Sequence, residues 1–265
     1  MRDSGRDLLA AITGARQDSS LAVLEGFHAL KHALRFGAQV EWAVTEDPAL
    51  LRELAGTLAP DLRDTLASLV TPVDREVFRA MTASTPVHTK VIAVARRPPA
   101  PEGDPLPALA ADGPVVLLED PRHLGNVGAV VRVAAAAGAC GVTTTGSSDP
   151  WDPAALRGSA GLHYAVPVWR SAALPPAGST LVALDPAGRD ISEVDLPAHG
   201  VFAFGTERAG LSAELSGRAS LRVRIPMRAG VSSLNLATSV AVVLYALRLR
   251  APAGPGPGTA VTQDG

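Results

Sequence analysis

Ile225-Pro-Met-Arg-Ala-Gly-Val-Ser-Ser-Leu-Asn-Leu-Ala-Thr-Ser-Val-Ala-Val-Val-Leu-Tyr245 is the stretch on which the reading of the whole chain turns. Residues 221–225 just before it alternate apolar side chains with arginine, the period of a strand, and Pro226 ends the run. A loop with Gly230, Ser232 and Ser233 follows, then a helical stretch rich in Ala, Val and Leu. Ser232 or Ser233 is placed to cap that helix, because a serine hydroxyl accepts a hydrogen bond from a first-turn amide. From Leu236 onward the helix is apolar on nearly every face, which predicts burial rather than an amphipathic surface helix. A buried helix opened by a polar turn puts backbone amides where a small ligand can meet them.

Two stretches upstream repeat the strand-then-polar-loop form. Residues 115–119 are a continuous apolar run ending in Glu119, suited to a buried parallel strand. The loop 120–128 follows, then an Ala-rich helix over 129–137 closed by Gly138. Residues 201–204 are another buried strand, ending in Gly205-Thr-Glu-Arg-Ala-Gly210. Between these, 141–145, 165–168 and 180–184 read as strands and 154–159 as the start of a helix. Alternating strands and helices require a mostly parallel sheet with helices on both faces. Ligands of such a sheet bind beyond the carboxyl ends of its strands, so the three loops are expected to share one pocket.

The first hundred residues form a smaller α/β unit. Strands are expected over 20–24, 40–44 and 91–95, and helices over 26–36, 50–69 and 74–81, with Pro60 splitting the second helix. Residues 1–19 are polar and read as a loose lead-in, and 98–113 as an extended proline-rich linker. The division is 1–97, linker 98–113, 114–250, and a disordered Pro/Gly/Ala tail over 251–265. His28 and His32 stand four apart, the spacing of a metal pair. No Glu lies between them in the required place and no other ligand cluster is near, so they read as a solvated helix face and no metal is expected.

Composition narrows the class. The chain has 265 residues, is 47% hydrophobic and 19% charged, and carries a net charge of −2. That describes a globular protein and does not advertise a nucleic-acid binder, so RNA contact would have to come from local clusters such as Arg157, Arg208, Arg222, Arg224 and Arg228. The single cysteine, Cys140, excludes an intramolecular disulfide and fits a reducing compartment. Neither a signal core nor a membrane-length apolar run is seen, so the cytoplasm is expected.

Taken singly the loop motifs are weak; in this order and spacing they are not. Asn126-Val-Gly128 with Arg132 on the next helical turn, Phe204-Gly-Thr-Glu-Arg-Ala-Gly210, and Ile225-Pro-Met227 with Ser233-Leu-Asn235 resemble the three signature motifs of the SpoU, or TrmH-like, branch of the SPOUT RNA methyltransferases. The resemblance covers about 115–250. The N-terminal half, through Leu24-Glu-Gly26 and the strand over 91–95, is similar to that family's L30e-like substrate-binding domain. Where relatives often carry Gln-Gly, this chain has Val87-His-Thr-Lys90.

The resemblance implies an α/β fold whose C-terminal SPOUT domain is a trefoil knot with a mostly parallel sheet, one of the rare exceptions to unknotted topology. It implies S-adenosylmethionine as cofactor, held by Leu184, Gly205, Glu207, Gly210, Ile225, Met227, Ser233 and Leu234. It also implies a homodimer completing the site, and tRNA or rRNA methylated on a ribose 2′-hydroxyl. Arg132, Glu207, Asn126, Ser233 and Asn235 are the residues it makes catalytic. A ribose hydroxyl is a poor nucleophile and must be aligned and relieved of its proton. Arg132 stays protonated, which favours orienting ribose and phosphate and stabilising a developing alkoxide over acting as a base. Glu207 is suited to pair with an arginine, position the ribose or take the proton through water.

Two alternatives stand beside this reading: an rRNA methyltransferase conferring antibiotic resistance, and a non-catalytic knotted RNA-binding protein. A nicotinamide-binding fold is discounted, since no complete Gly-x-Gly-x-x-Gly is present and only Asp149 lies where a ribose-binding acid belongs.

Overall fold

The computed structural model of the chain describes residues 2–82, 87–99, 103–206 and 210–250. The first sheet is built from α1 (Arg2–Gln17), β1 (Leu21–Glu25), α2 (Phe27–Arg35), β2 (Val40–Thr45), α3 (Pro48–Leu58), α4 (Arg63–Leu69), β3 (Val70–Pro72), α5 (Arg75–Met81) and β4 (Val91–Arg96). Its strand order is β1-β4-β2-β3, with β4 antiparallel to both neighbours and β3 parallel to β2. In β4 every residue from Val91 to Ala95 is buried, which is why that strand reads as an unbroken apolar run. Pro60 splits the helical stretch as expected, since α3 ends at Leu58 and a 3-10 turn over Pro60–Leu62 precedes α4.

Two expectations fail here. The lead-in is helix α1, and its Ile12 and Ala15 pack with Phe78, Met81 and Ile92. Leu8, Ile12 and Ala15 sit at i, i+4 and i+7, a stripe outnumbered by the charged residues around it. The stretch read as an extended linker contains helix α6 (Leu106–Asp112), whose Leu106 is buried against Leu117 and Val201. Pro105 does not block it, because the first positions of a helix need no amide hydrogen.

The second sheet follows, from β5 (Pro114–Leu118), α7 (Leu124–Ala137), β6 (Gly141–Thr144), α8 (Pro153–Ser159), β7 (Val168–Arg170), β8 (Leu181–Asp190), β9 (Gly200–Phe204), α9 (Ala213–Arg218), β10 (Leu221–Arg224) and α10 (Leu236–Arg250). Its order is β10-β8-β9-β5-β6-β7 and every pair is parallel. The chain moves from β5 outward to β7, then returns to lay β9 on the other side of β5. That reversal places a switch point at the carboxyl ends of β5 and β9, where α/β sheets take ligands. Helix α10 packs on α7, but only one of its faces is covered. Val242, Tyr245 and Leu249 remain 36%, 39% and 81% exposed, so the expectation of an all-round buried helix is corrected. Among the described residues no helix is long and apolar enough to cross a membrane.

The two sheets meet along α2 and the turn after α8. The Glu25 carboxylate, 3% exposed, accepts from Arg16 of α1 at 3.1 Å and from Arg157 of α8 at 2.5 Å. His32 donates its Nδ1 hydrogen to the Ala160 carbonyl at 2.8 Å. Gly161 lies so close that a Cβ there would come within 2.3 Å of the Ala29 oxygen, and its φ of +79° is itself a glycine conformation. Arg97 bonds Asp149 at 2.7 Å, and the Tyr164 hydroxyl donates to the Arg96 carbonyl at 3.0 Å. His32 is thus a joint between the sheets, not part of a solvated face. Inside the turn His163 is buried, with Nε2 on the Pro150 carbonyl at 2.8 Å and Nδ1 on the Ser159 hydroxyl at 2.7 Å. Burial pushes its pKa down to about 4.

Candidate active site

Helix α7 begins at Leu124, so Asn126 and Gly128 lie in its first turns rather than in a loop. The amides of Asn126 and Val127 both donate to the His123 carbonyl, at 2.9 and 3.2 Å. Gly128 serves packing: a Cβ on it would stand 2.0 Å from the Ala155 oxygen, and one on Gly158 would stand 2.7 Å from the Gly125 oxygen. The glycine of the Asn-Val-Gly motif therefore lets α7 and α8 cross backbone to backbone.

Asn235 joins the first and third motifs. Its Nδ2 donates to Asn126 Oδ1 at 3.1 Å, and its Oδ1 accepts from the Ala237 amide at 2.9 Å. The cap of α10 is therefore Asn235, two residues past the expected serines. Asparagine caps as well as serine does, and its amide keeps donors to hold a second element. Ser233 itself is exposed. In the second motif, Thr206 and Gly210 exchange two backbone bonds of 3.2 and 3.0 Å, closing a tight loop. A Cβ on Gly205 would fall 2.0 Å from the Gly210 carbonyl carbon, so the loop closes only over glycine. Glu119, at the end of β5, steadies the same loop by accepting the Ser212 amide at 2.6 Å. Glu207 and Arg208 lie outside the described residues.

The residues expected around the cofactor follow the ends of three neighbouring strands. Ala183 pairs with both Ala203 and Arg222, so Leu184, Gly205 and Ile225 emerge at one edge of the sheet. Met227, Val231 and Leu234 leave apolar side chains exposed beside them, at 38%, 49% and 39%. This donor set suits an adenine: apolar side chains for its faces, and backbone N–H and C=O groups for its edge.

Arg132 is not gathered with these. It lies six residues beyond Asn126, roughly 240° round the helix at about 100° per residue. It is exposed and makes no hydrogen bond or ion pair among the described residues. It lines a cavity of about 370 Å³ between the sheets, together with Glu25, His28, His32, His88 and Arg157. The pKa of His28 is lowered by partial desolvation and then by the charges of Lys31 and Arg132. That of His32 is lowered by burial, against the opposing pull of the Ala160 carbonyl.

Of the arginines anticipated for RNA, Arg208 lies outside the described residues and three of the others stand near carboxylates. Arg157 is committed to Glu25, Arg222 stands 3.5 Å from Asp185, and Arg224 stands 3.7 Å from Asp190. Trp151, Trp169 and Tyr164 are packing residues. Trp151 is buried with Nε1 on the Val168 carbonyl at 2.9 Å, Trp169 is buried in the second core, and Tyr164 belongs to the joint between the sheets. What sequence reasoning missed is the role of His32, which bonds the Ala160 carbonyl. The signal was available in the His-x-x-x-His spacing, but it points across to the other sheet rather than to a metal.

The model of the SpoU rRNA Methylase family matches residues 113–245, half of the chain. A 23S rRNA (adenosine(1067)-2'-O)-methyltransferase of Streptomyces laurentii is 34% identical over 166 residues, covering 59% of this chain and 61% of that protein. An uncharacterized tRNA/rRNA methyltransferase of Mycobacterium bovis is 33% identical over 214 residues, covering 75% of this chain and 73% of the relative. The chain spans 54% and 61% of the length of the first curated relatives it matches. Among solved structures, an RNA 2'-O ribose methyltransferase superposes with a TM-score of 0.72 at 27% identity, covering 93% of this chain and 95% of that one. An AdoMet-bound rRNA methyltransferase from Sinorhizobium meliloti shares the fold, with a TM-score of 0.70 at 24% identity over 94% and 95% of the two chains.

Proposed function

The chain belongs to the SpoU rRNA methylase family, and from that premise we propose that it transfers a methyl group from S-adenosylmethionine to a ribose 2′-hydroxyl of RNA. The observation that carries this reading is the bond from Asn235 to Asn126, which ties the third motif to the first beside the ends of β8, β9 and β10. The cofactor would be held by Leu184, Gly205, Gly210, Ile225, Met227, Ser233 and Leu234, and supplies an electrophilic methyl on sulfonium. The protein's own task is to align a weak nucleophile and stabilise the charge it develops. Arg132, cationic and without an ion pair among the described residues, orients ribose and phosphate and faces the developing alkoxide. Asn126, Asn235 and Ser233 order the loops and offer hydrogen bonds to the substrate. Glu207, which lies outside the described residues, is assigned to position the ribose or receive the proton through water.

A homodimer belongs to the same reading. Val242, Tyr245 and Leu249 on α10, with Met227, Val231 and Leu234 before it, leave apolar surface that a second copy would cover. Such a copy would also bring its own Arg132 to loops that this chain's Arg132 does not face. The knotted threading of α10 implied by the resemblance goes with this reading, as does ribosomal RNA as substrate, which the descriptions of the family and of the Streptomyces laurentii relative both name.

The test is transfer of radiolabelled methyl from S-adenosylmethionine to total tRNA and, separately, to ribosomal RNA, with Arg132→Ala run alongside. The expected result is label in an alkali-resistant dinucleotide from ribosomal RNA, reduced about a hundredfold or more in the variant. Label on a base, or equal transfer by the variant, would sink the assigned chemistry. A chain that binds RNA but not the cofactor would leave the non-catalytic RNA-binding alternative.

A further inference from the structure

The cavity between the sheets is walled by α2 and the 87–89 turn on one side and by Arg132, Arg157 and Ala160 on the other. Its chemistry is mixed in a particular way. Glu25 is its one acidic residue, and that carboxylate is already shared by Arg16 and Arg157. Arg132 adds a cation with no ion pair among the described residues, so the cavity carries an unmatched positive charge. Three imidazoles surround that charge. His28 and His88 are exposed, while His32 is half-buried and held by its bond to Ala160. Desolvation, and after it neighbouring positive charge, lowers the pKa of His28 and His32, which favours flat neutral rings with single donors over further charges.

A guanidinium without a partner calls for an anion, and neutral imidazole faces call for a planar ring. Only a ligand with both satisfies the cavity, and the volume of about 370 Å³ is in the range that small-molecule-sized groups fill. An acidic peptide would meet Arg132 and leave the rings unused. Gly26 keeps the floor open, since a Cβ there would press on Thr89 Oγ1 at 3.0 Å. That hydroxyl is fixed by accepting the Phe27 amide at 2.7 Å.

We infer that this cavity seats one unstacked nucleotide of the RNA, its phosphate on Arg132 and its base against His28 and His88. The inference rests on the reading of the chain as an RNA methyltransferase and adds to it a place where α2 and the 87–89 turn hold the RNA beside Arg132. The first sheet then fixes which nucleotide offers its 2′-hydroxyl for methylation, and His28 and His88 are positioning residues.

The experiment uses the full chain labelled with ¹⁵N-histidine, whose six histidines give six imidazoles to follow by NMR. The probes are a single-stranded RNA trinucleotide, inorganic phosphate and an oligoglutamate peptide. The trinucleotide should shift His28, His32 and His88 and leave buried His163 unmoved, with phosphate alone giving a smaller effect confined to the residues nearest Arg132. Equal shifts from phosphate or from oligoglutamate would overturn the nucleotide assignment, as would shifts limited to His123 and His199. In parallel, H28A/H88A, two exposed positions, should raise the KM for RNA about tenfold through lost stacking and leave the KM for S-adenosylmethionine unchanged. An unchanged KM for RNA would also overturn it. Histidine shifts without methyl transfer to any RNA would sink the proposed reaction and spare the cavity. Methyl transfer without histidine shifts would do the reverse.

Discussion

The joint between the sheets and the loops at the strand ends are built on opposite plans. At the joint, beside the cavity that Arg132, His28 and His88 line, the groups that bridge the sheets or lie buried in the turn are spoken for within the chain: Glu25 by two arginines, His32 by Ala160, His163 by Pro150 and Ser159. At the strand ends, a side-chain bond from Asn235 to Asn126 crosses between the third and first motifs, while Met227, Val231 and Leu234 leave apolar side chains exposed. The difference teaches where the chain relies on itself and where it waits for others. The joint holds the first sheet against α8 as a fixed support. The loops keep apolar faces and polar edges exposed, and on the proposed reading a cofactor, a substrate and a second copy would cover them.

Substitution at the joint should therefore cost the most. Gly161→Ala forces a Cβ to 2.3 Å from the Ala29 oxygen at a φ of +79°, and about 3–5 kcal/mol of stability should be lost. Urea unfolding reads this directly, and a loss under about 1 kcal/mol would mean the joint yields easily and the contrast is false.

Acid probes the same region next. The unfolded chain takes up a proton at His163 near pH 6.5, whereas the native state refuses it until about pH 4. Stability should fall as pH drops through that window and be fully present above it, with this group contributing on the order of 3 kcal/mol. His163→Gln should unfold with a correspondingly shallower pH slope. Matching slopes for the two proteins would remove His163 from the account.

The strand ends should show the smallest effect on stability. Asn235→Ala removes a helix cap and the tie to Asn126, worth about 1–2 kcal/mol in the same urea titration. Its effect should instead appear in cofactor affinity. A larger loss of stability than that of Gly161→Ala would invert the comparison.

Much of the fold was legible because burial and sequence pattern agree. Residues 91–95 and 201–204 read as strands through continuous apolar runs, and the structure extends each by only one residue, Arg96 and Gly200. Pro60 split its helix because a proline inside a helix removes a donor and clashes. Helix α1 was hidden since its buried stripe is narrow, and α6 since prolines at its start look like linker although the first turn accepts them. The strand over 180–184 extends to Asp190, where β10 re-pairs after a register shift that no local pattern announces.

The candidate site divides in the same way. Asn126 and Asn235 could be named from their motifs, and the structure brings them together. The place of Arg132 could not be, since the direction of a side chain across a cavity depends on how two sheets dock, and no spacing along one helix encodes that. Gly128 was read with the chemistry of its motif, whereas the backbone crossing of α7 and α8 explains it fully.

One apolar cluster runs unbroken from Leu24 and Phe27 through Val116 to Val240. Recombination that exchanged the first sheet alone would leave aliphatic surface bare along α8 and its turn. A viable chimera has to carry α8 across with its partner helix α2. The exchangeable unit is thus not delimited by the prolines between the sheets: its seam runs through the second sheet's own helices, and grafting a different first sheet onto this chain means cutting there.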